Sequence, residues 1–291
     1  MKTLYYIFRA SRPKQWTKNI LVFAGLVFSH DLLHAEKIIA ATFAFLSFCL
    51  ISSSVYLIND VFDRKKDALH PQKKYRHIAA GLLSPATAVF AAVFFAGTSL
   101  WMAYSLQLKF ALIVTIYLII NLTYSILLKH IILVDVFAIA SGFMLRIIGG
   151  TFAINEPVSS WLIICATFLT LFLALGKRRA ELAALGDNAS DVRKTLTQYS
   201  IKYLNNLMTI VITGCVMSYA LYTLDVETVT KFGTKNLIWT LPFVLYGLFR
   251  YMYLLELQDE GEAPEDTIFK DVPLLLSILL YSAVVFVIIY Y

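Results

Sequence analysis

Charge is what this chain has least of. Asp, Glu, Lys and Arg make up 15% of its 291 residues and hydrophobic residues 59%, whereas a soluble domain carries about 25% charged residues. With a mean hydropathy of +0.72, so little charge excludes a large aqueous surface and points to lipid as the solvent. Cysteine is nearly absent. Cys49, Cys165 and Cys215 each lie in an apolar run without metal-ligand spacing, which reads as three small hydrophobes packed among helices. The five histidines form no metal-ligand pair, and no Ser–His–Asp or Cys–His spacing appears, so nothing speaks for nucleophilic catalysis. Gly- or Pro-broken apolar segments in paired halves, the mark of inverted-repeat transporters, are missing as well. No small-residue cleavage site follows the basic, aromatic MKTLYYIFRASRPKQWTKN, which reads as an amphipathic interfacial segment with Trp16 as its anchor.

What is present is a series of long apolar runs. A spanning helix needs about 20 mostly apolar residues, and nine segments qualify: 18–33, 37–59, 85–106, 109–128, 132–153, 158–176, 203–224, 236–257 and 273–291. None alternates apolar and polar residues as a barrel strand does. The first is short and ends at His30 and Asp31. The expected fold is therefore all-α, a polytopic membrane protein formed as one domain over 1–291.

The net charge of +6 does not point to nucleic acid, because the bases sit in short blocks between apolar runs. Nine spans put 19 Lys and Arg on one side and 4 on the other, with Arg146 and Arg250 inside spans. The positive-inside rule makes the first side cytoplasmic, so the expected location is the cell (inner) membrane. The expected partners are the membrane and anionic substrates.

That cytoplasmic side carries LINDVFDRKKDALHPQKKYRHIAAG, residues 57–81. Continued helically, Asp60, Asp63 and Asp67 share an arc of about 60°. Like charges so close call for a cation between them, and an all-oxygen set suits Mg²⁺, which favours few carboxylates plus substrate phosphate oxygens. Asn59 stands at the rim, where its amide can donate. Lys73 and Arg76 follow in a loop as phosphate contacts, with Ala79, Ala80 and Gly81 small enough for backbone to approach a ligand. The plainer reading is a solvated helix end with surface pairs such as Asp67–Lys66 or Arg64–Asp60.

A second cluster begins at Asp135. Arg146 lies eleven residues on, about 20° around a helix and about 16 Å along it. An arginine at that depth either faces a cavity or pairs within the bundle. Lys129 precedes it as a topology determinant or phosphate contact. In ALGKRRAEL, residues 174–182, Lys177 and Arg178 are candidate phosphate contacts, and Arg179 reads as positive-inside anchoring. The acidic loop 259–271 reads as solvated.

NDVFDRKKD fits the NDxxDxxxD motif and resembles the UbiA-type intramembrane prenyltransferase superfamily. SRPKQWTKNILVF, NDVFDRKKDALHPQKKYRHIAAG, YSILLKHIILVDVFAIASGFMLRIIGG and LALGKRRAEL, in that order, look more narrowly like its decaprenyl-phosphate phosphoribosyltransferase branch. The resemblance runs from about residue 10 to 275. It implies nine helices around a cavity open to lipid, with the polar site facing the cytoplasm. It implies Mg²⁺-dependent transfer of 5-phosphoribose from phosphoribosyl diphosphate to a polyprenyl phosphate, feeding synthesis of cell-envelope polysaccharide. Asp60, Asp63 and Asp135 are then the expected catalytic residues, and Asp60, Asp63 and Asp67 the metal ligands. The expected substrate contacts are Lys14, Lys18, Asn59, Lys73, Arg76, Lys129, Arg146, Lys177 and Arg178, with Lys14 and Lys18 on the lipid phosphate. Two departures stand out. KRRAE replaces the second aspartate motif of the aromatic prenyltransferases, which argues against prenyl transfer, the nearest alternative; a transporter is the more distant one. His77 stands where the phosphoribosyl branch commonly has Pro.

Overall fold

The computed structural model of the protein describes residues 2–29, 31–69, 73–185, 194–257 and 264–290, which are mostly helical and contain no strand. Arg193 of the basic loop, and Asp259, Glu260 and Glu262 of the acidic loop, lie outside the described residues. Eight helices among the described residues are long and apolar enough to cross a membrane, and they coincide with eight of the nine apolar segments. The residues divide into two compact units, Met1–Ile126 with Leu145–Pro157, and Leu127–Met144 with Val158–Tyr291.

The first unit opens with α1 (Lys2–Ala10), a 3-10 helix (Pro13–Phe23) and α2 (Ala24–Phe28). This stretch accounts for the ninth segment, 18–33, and takes a form the apolar count did not anticipate. A 3-10 helix rises about 2.0 Å per residue against about 1.5 Å for an α-helix, so Pro13–Phe28 climbs about 30 Å with few residues. Close backbone packing accompanies the change. A Cβ on Gly150 would stand 1.9 Å from the Val22 carbonyl oxygen, and one on Gly25 would stand 2.4 Å from Thr151 Oγ1.

α3 (Ala35–Leu69) has 35 residues, about 52 Å of helix for a hydrocarbon core of about 30 Å. Its last turns therefore run past the apolar length, and those turns carry Asp60, Asp63 and Asp67. α4 (Pro85–Leu106) starts at Ser84, whose side chain accepts the Thr87 N–H, with Pro85 in the first turn. α3 packs along α4 and against α5 (Leu108–Ile126). Val22, Phe48, Ile51, Phe110, Val114 and Tyr117 are among the buried residues at their centre.

α6 (Val134–Ala153) begins in the second unit and ends in the first. The second unit continues with α7 (Ser160–Leu185), α8 (Ile201–Leu224), α9 (Val226–Phe232), α10 (Leu241–Leu257), α11 (Pro264–Lys270) and α12 (Val272–Tyr290). α7 packs along α8, and α10 along α12, around Phe172, Leu204, Met208, Tyr251 and Leu254. Cys49 and Cys215 are buried, Cys165 is half-buried, and all three are free thiols.

Candidate active site

In the first unit, Asp60 and Asp67 meet guanidinium groups. Asp60 keeps 5% of its side chain exposed, and its Oδ1 accepts from Arg12 at 2.5 Å and from Arg76 at 3.1 Å. The same Arg76 nitrogen donates to Asp67 Oδ2 at 2.7 Å. One cationic group thus lies between two buried carboxylates, and the surface pairs Asp67–Lys66 and Arg64–Asp60 do not occur. Asp63 and Asn59 are half-exposed on the same end of α3. Among the described residues no three His, Cys, Asp or Glu side chains converge closely enough to hold a metal. The convergent pair is Asp60 and Asp67, and Asp63 stands beside it.

The loop after α3 is pinned from beneath. Ile78 and Leu83 are buried with Leu57 and Ala88, and Gly81 takes φ +74 with open space around it, a turn suited to glycine. These anchors hold Arg76 over the carboxylates and leave Lys73 half-exposed. His77 packs its ring 5.5 Å from Tyr6. Burial, reinforced by the Arg9 charge, holds its imidazole below the ordinary value against an opposing pull from Asp60. It is therefore neutral near pH 7 and supplies no positive charge to a phosphate.

Arg12 lies in the basic N-terminal segment, and its contact with Asp60 spans 48 positions, beyond any local pattern. It sits in the left-handed region at φ 54, between α1 and the 3-10 helix, with its guanidinium also 5.0 Å from the centre of the Tyr56 ring. Lys14 is exposed and Lys18 half-exposed on that 3-10 helix. The helix is tied to α3 by the Trp16 indole N–H, which donates to Ser53 Oγ at 3.1 Å. Trp16 thus anchors this segment to the protein.

Arg146 resolves the other way from the cavity-facing expectation. It is buried, donating to Asn19 Oδ1 at 2.6 Å and to the Tyr117 hydroxyl at 2.8 Å, with its guanidinium 4.8 Å from the centre of the Tyr117 ring. It cross-braces the first unit, which corrects its expected role as a substrate contact.

The second unit holds a buried pair. Arg178 Nε lies 2.6 Å from Asp135 Oδ2, with both side chains at 0% exposure, and Arg178 also contacts Glu181. Tyr199 donates its hydroxyl to Asp135 Oδ1 at 2.7 Å and accepts the Leu133 N–H at 2.7 Å. Burial, then the Asp135 contact, push the Tyr199 phenol up, so it stays a donor. Leu133 itself is left-handed at φ 63. Asp135, expected as a catalytic residue, and Arg178, expected as a substrate contact, are here enclosed and paired with each other. Arg179 is also buried, donating to Asn205 and to the Leu255 carbonyl, so it ties helices together rather than marking sidedness. Lys177 stays half-exposed, 3.9 Å from Glu181. Lys129 is half-exposed on a turn whose backbone carbonyl accepts from Thr195 at 2.8 Å.

A helical membrane fold with its acidic face on an overlong helix is the class defined so far. The chain belongs to the UbiA prenyltransferase family, whose model matches residues 19–270, and it is an integral multi-pass membrane protein. It is 33% identical over 282 residues to a decaprenyl-phosphate phosphoribosyltransferase of Mycolicibacterium smegmatis, covering 91% of this chain and 86% of that protein. It is 35% identical over 268 residues to one of Corynebacterium glutamicum, covering 90% and 80%. The fold matches a UbiA homolog from Archaeoglobus fulgidus bound to DMAPP and Mg²⁺, with a TM-score of 0.75 at 19% identity, covering 97% of this chain and 98% of that one.

Mg²⁺ fits the donor set at Asp60 and Asp67. Both are hard oxygen donors, both are buried, and Arg76 bonds to both, which brings them together at one end of α3. Two carboxylates leave positions for phosphate oxygens and water, the arrangement this ion favours.

Proposed function

We propose that the protein transfers 5-phosphoribose from phosphoribosyl diphosphate to a polyprenyl phosphate of the decaprenyl type, releasing diphosphate. The reaction takes place at the cytoplasmic face of the cell (inner) membrane and supplies a precursor of cell-envelope polysaccharide. The observation that carries this reading is the pair of buried carboxylates, Asp60 and Asp67, brought together at the end of an overlong helix with Arg76 bonded to both. The two phosphoribosyltransferase relatives, matched over nine-tenths of the chain, support the choice of substrates. We also read 1–291 as one catalytic domain, because the family model runs through both units.

Asp60 and Asp67, with Asp63 beside them, would hold Mg²⁺, which when bound neutralises the charge that develops on the departing diphosphate. Arg76 and Lys73 add fixed positive charge for phosphate oxygens, and Asn59 donates from the rim. Lys129 and Lys177 are proposed phosphate contacts because both are half-exposed cations in motifs shared with the phosphoribosyl branch. Lys14 and Lys18 are assigned to the lipid phosphate. The C1–O bond to diphosphate breaks with its electron pair on the leaving group, and a lipid phosphate oxygen forms the new bond to C1. That oxygen is already ionised, so the step needs little general-base help; this agrees with a His77 kept from acting as a charged group. Holding the acceptor in line with C1 supplies much of the acceleration.

The test is purified enzyme in detergent with Mg²⁺, phosphoribosyl diphosphate and a polyprenyl phosphate, with lipid products read by mass spectrometry. The expected outcome is a lipid that gains phosphoribose, reduced at least about 100-fold in Asp60→Asn. No such product, together with prenylation of an aromatic acceptor by a polyprenyl diphosphate, would overturn the reading.

A further inference from the structure

We infer that Arg12 is a displaceable internal cation, which holds Asp60 while the carboxylate face is free of metal and moves onto the donor's diphosphate oxygens when metal and diphosphate bind together. The inference rests on the proposed metal–diphosphate reading of that face, and it adds to it a residue from another part of the chain.

Three observations carry it. First, a single oxygen, Asp60 Oδ1, accepts from both Arg12 and Arg76. A carboxylate oxygen has two lone pairs, so a metal taking this oxygen must displace one guanidinium. Second, the two arginines are not equally held. Arg76 has Asp67 to remain on at 2.7 Å, whereas the contacts of the Arg12 guanidinium are Asp60 and the face of the Tyr56 ring. Arg12 is therefore the one that leaves. Its side chain is 28% exposed, which leaves its head a way out. Third, Arg12 is held at φ 54 and ψ 62, a conformation that costs a non-glycine residue about 1–2 kcal/mol and persists only where surrounding contacts impose it. Exchange of the Asp60 contact removes one of those contacts at the joint between α1 and the 3-10 helix that carries Lys14 and Lys18.

Charge gives the direction of coupling. Asp60 and Asp67 with Arg12 and Arg76 sum to zero, and the half-exposed Asp63 beside them adds one negative charge that a divalent cation exceeds. A divalent cation added alone leaves a partly buried excess of positive charge, which is unfavourable. Metal together with diphosphate restores the balance and offers Arg12 a forked partner among the phosphate oxygens. The unbound site thus resists free metal and accepts the metal–diphosphate pair.

The experiment uses the full chain in detergent, with Mn²⁺ alone and then Mn²⁺ with inorganic diphosphate, reading free Mn²⁺ by electron paramagnetic resonance. In wild type, diphosphate is expected to tighten Mn²⁺ binding. In Arg12→Gln, Mn²⁺ alone is expected to bind about 10-fold more tightly, and the gain from diphosphate to shrink about 10-fold, within the usual range of coupling between two ligands. Arg12→Lys, which keeps the charge but loses the fork, should fall between them and serves as the readout if Arg12→Gln does not fold. Unchanged Mn²⁺ affinity in Arg12→Gln and Arg12→Lys would make Arg12 a fixed structural pair and overturn the inference. So would undiminished diphosphate coupling. Wild-type Mn²⁺ binding by Asp60→Asn would overturn it together with the metal reading. Mn²⁺ and diphosphate responses as expected, in a protein that does not transfer phosphoribose, would leave the inference standing and remove only the choice of substrate.

Discussion

Tyr199 fills two gaps with one hydroxyl. It satisfies a backbone N–H at the left-handed Leu133 and one oxygen of the buried Asp135. Tyr199→Phe leaves both without that partner, and a buried group left unsatisfied costs about 1–3 kcal/mol. A thermal melt in detergent should therefore show Tyr199→Phe clearly less stable than wild type, while Tyr203→Phe, whose exposed ring only stacks on Tyr199 at 6.5 Å, should stay close to it. Equal melts would mean that the Asp135–Arg178 pair needs no third member. The same residues mark the limit of local pattern. Asp135, Arg146 and Arg178 are charges in apolar surroundings, and sequence spacing leaves open whether such a group meets substrate or protein. Their partners Tyr199, Asn19 and Tyr117 are ordinary residues distant in the chain, and nothing in their own neighbourhoods announces the pairing.

Among the elements, α3 was legible almost throughout. Its apolar run and the periodic aspartates continue one helical register, so an overlong helix with a carboxylate arc follows from residue order alone. The 3-10 helix Pro13–Phe23 was not. Composition and period identify an apolar helical segment, but the choice between i→i+3 and i→i+4 bonding lies with what the backbone packs against. Here Gly150 permits contact with the Val22 carbonyl. Gly150→Val should drive that carbonyl away and destabilise the fold by about 1–3 kcal/mol or more. Gly97→Ala, with nothing within 4 Å of its added methyl group, should be neutral or stabilising by about 0.5–1 kcal/mol through helix propensity. Detergent melts that ranked the two alike would refute close packing at Gly150.

At the scale of the whole molecule, the proposed orientation rests on the count of 19 bases against 4 in the sequence, because cytoplasmic connections retain Lys and Arg. This is checked in a chain with Cys49, Cys165 and Cys215 replaced by Ala, carrying either Lys74→Cys or Lys235→Cys. A membrane-impermeant maleimide should label Lys74→Cys only in inside-out vesicles and Lys235→Cys only on intact cells; the reverse pattern would put the Asp60 face outside. Sequence by itself determined the membrane solvent, the apolar helices, the family and the acidic arc, because each depends on composition or on helical period over neighbouring residues. Tertiary structure decided what neutralises those charges: Arg12 and Arg76 on Asp60, Arg178 on Asp135, and Asn19 with Tyr117 on Arg146. A charge removed from water needs a partner within about 3–4 Å, and whichever group meets that distance is set by how distant segments pack.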